Sequence, residues 1–545
     1  MNPTRLRDAG DSALLLECDA VIDLEINERA IGVAAAMRRA AIEGVRDVVS
    51  TYRSVAVYFD PLTVGAETVR AALERAAQAP PARVEGKTVV IPVEYGGEAG
   101  PDLADVAAFA GVSQQQAAAM HASVPYRVFM LGFLPGFAYM GSVDEAIAMP
   151  RRSTPRLRVP AGSVGIAGRQ TGIYPRESPG GWRIIGRTAM PVFDGSRSPA
   201  ALLAPGDVVS FVPEKADKVP YVVSGASRTE ATGETGASRH VTVLRPGLFS
   251  TIQDAGRWGH QASGVPVSGA LDRVSHRVAN ALVGNDATAA TLEVTLVGPE
   301  IRMEADALVA FAGADIDLRV DGASIPINRA VSCRSGSVLR FGERRSGARA
   351  YLAFDGGVAA DPVLGSRATS VLCALGPLGG RALAAGDRLP LGPATTGGPS
   401  RVIDLPHVRS AGGARLRVLP GPQDDGFPAE AFARLQGTRF TVTPQSDRMG
   451  YRLSGGRIPR IEGREMISDA TFTGAVQVPP SGEPILLMAD RQTTGGYPQI
   501  ATVITADLPM AGQLAPGDWI EFQVCSRPEA LSALVAQEGK LLALR

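Results

Sequence analysis

Two short segments carry the side chains best suited to grip a small anion or amide. Arg169-Gln170-Thr171-Gly172-Ile173-Tyr174-Pro175 recurs, with one inserted residue, as Arg491-Gln492-Thr493-Thr494-Gly495-Gly496-Tyr497-Pro498. A guanidinium presents a planar fork that meets a carboxylate or phosphate through two bonds. A Gln amide donates and accepts at once, which suits the edge of an amide or lactam. The glycines let a backbone come close to a ligand. A β-turn with Tyr packed on Pro and a solvated Arg has the same composition. Recurrence puts the ligand reading level with the turn reading, because turn geometry alone rarely requires Arg, Gln and Tyr together.

Three further clusters pair a carboxylate or hydroxyl with Arg beside Gly. They are Ser178–Trp182 with Gly186-Arg187-Thr188, Gln253-Asp254-Ala255-Gly256-Arg257 with Ser268–Asp272, and Ser446-Asp447-Arg448-Met449-Gly450. Such loops cradle phosphate or hold Mg²⁺ through one or two carboxylates. They are equally the composition of local turn ion pairs of small energetic consequence. Other chemistries are missing. Gly86-Lys87-Thr88 resembles the end of a phosphate loop, but the glycine required five positions earlier is Pro81. There is no GxGxxG, GxSxG or HExxH, and His121, His240, His260, His276 and His407 have no metal-ligand spacing. His121 reads as a helix-cap or core residue. Without a Met-Lys pair there is no usual biotin-attachment site, and without Gly-Ser-Ser no serine amidase signature. Catalysis here would work by clamping and polarising a substrate.

The elements that must position these residues are mostly short strands. Residues 1–80 read as a small α+β domain: Ile26, Ala30, Val33 and Met37 recur at helical spacing, Val48–Phe59 is strand-like, and a second helix fits Glu67–Ala77. Helices also fit Leu103–Phe109 and Gln114–His121, the latter capped by Ser113. After Tyr126 the texture becomes strands punctuated by Gly and Pro. Residues 225–239 have almost no large apolar side chain and read as a linker, and a second break lies at Gly392–Ser400. The expected modules are 1–80, 81–224, 240–391 and 401–545. Val159-Pro160 and Val478-Pro479 precede the two RQT segments. Ala-Pro-Gly-Asp follows each, at 204–207 and 515–518, with Phe211 or Phe522 four residues on. Ordered self-similarity of this kind predicts two related β-modules, one on either side of the linker.

Composition sets the outer bounds. At about 150 residues per domain, 545 residues predict three or four domains. Lys+Arg and Asp+Glu both number 55, which gives no electrostatic reason to expect nucleic acid or an anionic membrane as partner. Glycine (62) and proline (40) are in excess without a period, which fits many tight turns. Cys18, Cys333, Cys373 and Cys525 are scattered, as in a reducing compartment. The longest uncharged stretch, between Arg127 and Asp144, falls short of the roughly 20 apolar residues of a membrane span. The expectation is a soluble cytoplasmic protein.

Tyr126–Gly141 (YRVFMLGFLPGFAYMG) strongly resembles the signature of the 5-oxoprolinase B subunit, also known as allophanate hydrolase subunit 1, and Pro150-Arg151, Val159–Gly162, Gly168–Pro175, Ser178–Trp182 and Gly186–Thr188 continue it in order. From Leu244 the chain resembles the 5-oxoprolinase C subunit, through Pro246-Gly247, Gln253–Arg257, Gly264–Pro266, Ser268–Asp272, Ser446–Gly450 and Asp490–Pro498. The resemblance implies a β-rich α+β chain whose repeated modules are cyclophilin-like barrels. It also implies ATP-dependent opening of 5-oxoproline to glutamate with Mg²⁺ and the 5-oxoprolinase A subunit, supplied as a separate chain. Catalytic roles fall on Asp447, Asp490, Arg491 and Gln492. Substrate or nucleotide contacts fall on Arg169, Gln170, Thr171, Tyr174, Trp182, Arg187, Gln253, Asp254, Arg257, Arg448, Thr493 and Tyr497. No residue is assigned to a metal, and a homo-oligomer is possible. The same families resemble the carboxyltransferase region of urea carboxylase, which uses carboxybiotin carried on another chain. They also include a histidine-kinase inhibitor, which makes a regulatory protein the third reading.

Overall fold

The computed structural model describes residues 4–79, 84–214, 239–395, 412–461, 463 and 466–543. The linker expected at 225–239 lies, but for its last residue, outside the described residues, as do 396–400 of the second break.

Four antiparallel strands open the chain, in the order Arg5–Asp8, Ala13–Glu17, Ser54–Phe59, Val45–Ser50. Helix Leu24–Ala40 starts where the Asp23 carboxylate accepts from the backbone N–H groups of Glu25 and Ile26. It packs with helix Ala66–Gln78 over one face of the sheet. The two central strands are buried along their whole length. Continuous apolar strands such as Ser54–Phe59 arise when both faces are covered. The second face lies against the C-terminal part of the chain, where Tyr58, Val49 and Ala56 meet Ala470, Phe472 and Leu487.

Two closed barrels of seven strands follow, one on each side of an open sheet. The first runs Gln170–Ile173, Ala138–Gly141, Tyr126–Leu131, Val208–Pro213, Thr88–Tyr95, Arg183–Arg187, Ser163–Ala167. Helices Leu103–Ala110 and Gln114–Ala122 pack on it, and Ser113 closes a capping box with Gln116. The second runs Gly413–Pro420, Gln499–Val503, Ala475–Gln477, Ile485–Leu487, Gly450–Ser454, Phe440–Val442, Trp519–Val524. Each barrel closes by pairing its first and last strands in parallel. Ala-Pro-Gly-Asp is the turn that enters the closing strand. Asp207 accepts from Ala204 N and Lys87 N, and Asp518 accepts from Ala515 N. Gly206 and Gly517 stand at φ of 98° and 94°, which a side chain would oppose. Phe211 and Phe522 each enter their own barrel's core.

Barrel topology corrects the alignment of the RQT segments. Gln170–Ile173 is a barrel strand, and its counterpart by position is Ile485–Leu487. Arg491–Tyr497 instead lies one connection later. Its Thr494–Gly495 pairs with Asp469–Ala470, as Ser178–Gly180 pairs with Arg156–Val159 in the first barrel. The equivalent of Arg491-Gln492-Thr493-Thr494-Gly495-Gly496-Tyr497 is therefore Arg176-Glu177-Ser178-Pro179-Gly180-Gly181-Trp182. The likeness to Arg169–Pro175 is local.

Between the barrels, residues 240–390 form a nine-stranded open sheet built on the long hairpin Ala307–Val320 and Val338–Phe354. Helix Arg273–Leu282 packs on that hairpin, its Asp272 carboxylate capping Ser275 N. Among the described residues no helix is long and apolar enough to cross a membrane.

Candidate functional site

The first barrel meets the later part of the chain along a seam, and the signature stretch Tyr126–Gly141 runs into it. Strands Tyr126–Leu131 and Ala138–Gly141 hold the connecting loop, in which Phe133 takes φ 63°. That loop lies on Gly264, bonds Gly136 N to Ser263 O at 2.8 Å, and brings Gly132 against Thr494. Phe193 and Gly195 pack on Val363 and Leu375.

Strand Phe249–Gln253 delivers Gln253, Asp254 and Arg257 to the seam, where they build the segment 363–370. Gln253 Nε2 donates to Thr369 O at 2.9 Å. Asp254 accepts from Ser366 Oγ at 2.7 Å and Arg367 N at 2.6 Å. The Arg257 guanidinium donates to Ala368 O. This clamp fixes Ser370 and Cys373. Burial pushes the Cys373 thiol up to about 11, so at neutral pH it is no thiolate nucleophile.

Asp490 comes from the second barrel and is held by Arg448 through bonds of 3.0 and 3.2 Å. Arg448 also donates to Gly269 O at 2.7 Å and to Glu293. Burial opposes ionisation of Glu293, but Arg448 and Arg349 outweigh it and hold the carboxyl below its usual range. Glu293 accepts further from Leu271 N and Tyr351 Oη. A buried pair this thoroughly bonded fixes geometry, and removing one partner strands the other. Ser268 N donates to Ala489 O beside it, and Ser268 holds φ 57°. Positive φ in a non-glycine residue stores strain of the kind found at functional sites.

The polar groups left over at the seam define what it can hold. Arg257 Nη1, Ser268 Oγ, Ser178 Oγ, and Arg176 Nε and Nη1 are buried without a partner. Arg176, from the first barrel, and Arg257 and Asp490, from the later part, all lie close enough to Cys373 to act on its thiol. Burial pushes the pKa of both guanidinium groups down. Buried donors without partners call for ligand oxygens or water. Two arginines with spare N–H groups, hydroxyls and one fixed carboxylate suit a phosphoryl group or carboxylate.

The remaining sequence-derived candidates fall elsewhere. Arg169 is exposed and paired with exposed Glu145. Gln170 lies on its barrel strand beside it, half-buried. Thr171 is in the barrel core, bonded to His121 and Gly165 O. Tyr174 and Trp182 pack edge-on around Phe137. Arg187 donates to Ala161 O. Asp447 is exposed and caps its own turn, accepting from Met449 N and Gly450 N. Arg491 is 2% exposed, and bonds to Thr473, Thr471, Gln492 O and Gln261 use its guanidinium. It ties the second barrel to the N-terminal sheet through the Tyr58 ring. Gln492 is half-buried, Thr493 buried with an unpartnered hydroxyl, and Tyr497 42% exposed. Motif reasoning alone does not reach Arg176, Glu293, Ser370 or Cys373. For Arg176 a signal is present: the R-x-[ST]-x-G-G-aromatic pattern it shares with Arg491.

The Carboxyltransferase domain family, subdomain C and D, matches residues 4–203, and its subdomain A and B match residues 263–524. The 5-oxoprolinase C subunit of Escherichia coli (strain K12) is 39% identical over 297 residues, 54% of this chain and 94% of that protein. The 5-oxoprolinase B subunit of Bacillus subtilis (strain 168) is 37% identical over 220 residues, 38% of this chain and 92% of that protein. The crystal structure of TTHA0988 superposes with a TM-score of 0.84 at 36% identity, covering 95% of this chain and 100% of that one. The chain thus belongs to the family of 5-oxoprolinase B and C subunits, carboxyltransferase-domain proteins, with the B part followed by the C part in one polypeptide.

Proposed function

We propose that this chain is the ATP-dependent component of a 5-oxoprolinase, activating 5-oxoproline at the seam between its B and C parts for opening to glutamate with a separate A subunit. One observation carries the reading: successive parts of a single chain match a nearly whole B subunit and a nearly whole C subunit. The chemistry explains why ATP is needed. A five-membered lactam resists water because its nitrogen lone pair is delocalised into the carbonyl. Attack of the lactam oxygen on the γ-phosphorus forms an O–P bond and releases ADP. Water then adds to the activated carbon and the C–N bond breaks, its nitrogen taking a proton. A second water releases phosphate. Arg176 and Arg257 would hold the phosphoryl oxygens, and Arg448 would position Asp490 beside them. Among the described residues no group of three or more His, Cys, Asp or Glu could hold a metal. Mg²⁺ would be carried chiefly by the nucleotide's phosphates, as it commonly is.

The test is phosphate release from ATP with 5-oxoproline, with and without the cognate A subunit. Substrate-dependent hydrolysis, with glutamate formed only in the complete mixture, is expected. Arg176→Gln should lower kcat/KM at least tenfold while leaving the melting temperature unchanged. The carboxyltransferase description of the family favours a second reading. No turnover of 5-oxoproline, but carboxyl transfer from carboxybiotin to urea or a related amide, would move the protein there.

A further inference from the structure

A cavity of about 450 Å³ opens between the N-terminal sheet and the second barrel, and none of its lining residues belongs to the seam cluster. The volume is that of a small-molecule pocket. Arg53, in the turn before strand Ser54–Phe59, forms one wall. It donates to Glu17 Oε1 and to Cys18 O, both at 2.9 Å, and lies 3.7 Å from Asp469 Oδ2. Its Nε is buried without a partner. Gln423 forms the facing wall and is 7% exposed. The backbone N–H of Gln499 donates to the Gln423 oxygen at 3.3 Å, which fixes the amide orientation and leaves its Nε2 unpartnered. Arg5 and Arg460 add positive charge and Asp19 and Asp425 negative charge, with Arg5 lying 3.7 Å from Asp425 Oδ2, while Ile467 and Pro498 supply apolar surface. Pro498 ends the Arg491–Pro498 segment, whose ribbon partner carries Asp469.

These groups offer guanidinium and amide donors to a carboxylate or carbonyl, with the Glu17 carboxylate able to accept an N–H. We propose that this cavity is a second binding site, for a small carboxylate that also carries an N–H on the neighbouring carbon: a lactam acid or the corresponding amino acid. The cavity stands on its own geometry; only the choice of 5-oxoproline and glutamate as probes rests on the proposed function.

Equilibrium titration of the full chain without nucleotide tests it, using 5-oxoproline, L-glutamate and 2-pyrrolidinone, which lacks the carboxylate. Binding of 5-oxoproline identifies the lactam as occupant, and binding of glutamate the amino acid. 2-Pyrrolidinone should bind at least tenfold more weakly than either. Arg460→Ala and Gln423→Glu should each weaken binding at least tenfold, the second while keeping the acceptor for Gln499, and Arg176→Gln at the seam should leave it unchanged. No binding of either acid below roughly 10 mM overturns the proposal. So does binding that Arg176→Gln abolishes and Arg460→Ala spares. Acid binding in a chain that never turns over ATP would instead sink the proposed function and leave this site standing.

Discussion

At the scale of single residues, burial decides what each polar side chain can do. His121 is wholly buried under Tyr126 and Phe211. Thr171 Oγ1 donates to Gly165 O, so it accepts from His121 Nε2, and Nδ1 is left to accept from Tyr95 Oη. The ring is thus neutral, and burial pushes its pKa down to about 3. His276 is likewise buried, and its pKa is pushed down to about 4. A group whose folded pKa is depressed stabilises the fold fully above its unfolded value near 6.5, and that stability is lost as pH falls toward the folded value. Each histidine should cost about 1.4 kcal/mol per pH unit across that window. Melting temperatures from pH 7 to 4 should therefore fall less steeply in His121→Gln, whose amide can keep both bonds, than in the parent. Equal slopes would mean that His121 is not neutral in the fold. The core role of this histidine could be read from sequence, because a lone His ending a short helix lacks metal-ligand spacing. The difference between Arg176 and Arg491 could not. Both stand in the same local pattern, but Arg491 is satisfied by Gln261, 230 residues away in sequence, while Arg176 keeps spare donors.

Elements were legible where one periodicity ruled. Helices Leu24–Ala40, Ala66–Gln78, Leu103–Ala110 and Gln114–Ala122 lie within a few residues of their apolar spacing and caps. Two related modules were legible from ordered repeats, but their register was not. Ala-Pro-Gly-Asp aligned correctly because a turn needs those residue types in that order, whereas Arg-Gln-Thr matched by composition across non-equivalent strands. The turn gives an element-scale prediction. Asp207 accepts from Ala204 N at 2.8 Å and from Lys87 N at 3.0 Å, joining the turn to the first strand of its barrel. Asp207→Ala leaves two part-buried backbone donors without their carboxylate and should cost about 1 kcal/mol. Urea unfolding would show this as a lower midpoint at unchanged slope. A midpoint equal to the parent's would assign barrel closure to the strand pairing alone.

At the scale of the molecule, residues before 214 and after 239 make one folded body. Asp47 accepts from Gly259 N at 2.8 Å and from Gln261 Nε2 at 3.2 Å. Asp11 accepts from Thr505 N and Oγ1 at 2.9 and 2.7 Å. Tyr58 Oη donates to Thr471 O at 2.8 Å, and its ring lies 5.4 Å from that of Phe472. Composition could not announce this, since an apolar strand buried on two faces reads the same whether its second cover is local or from the far end of the chain. The contacts are buried, apolar at their centre and spread over the N-terminal sheet and the first barrel, as in obligate interfaces. A covalent link is then not what holds the parts together. A protease site inserted between residues 214 and 239 and then cut should leave two fragments that co-elute as one particle, with oxoprolinase turnover retained. Tyr58→Ala removes the central ring and the bond to Thr471 O, and should make the cut form separate on dilution while the uncut variant stays folded. Fragments that part on cutting without any substitution would show that the connection, and not the sheet-on-barrel packing, keeps the seam assembled.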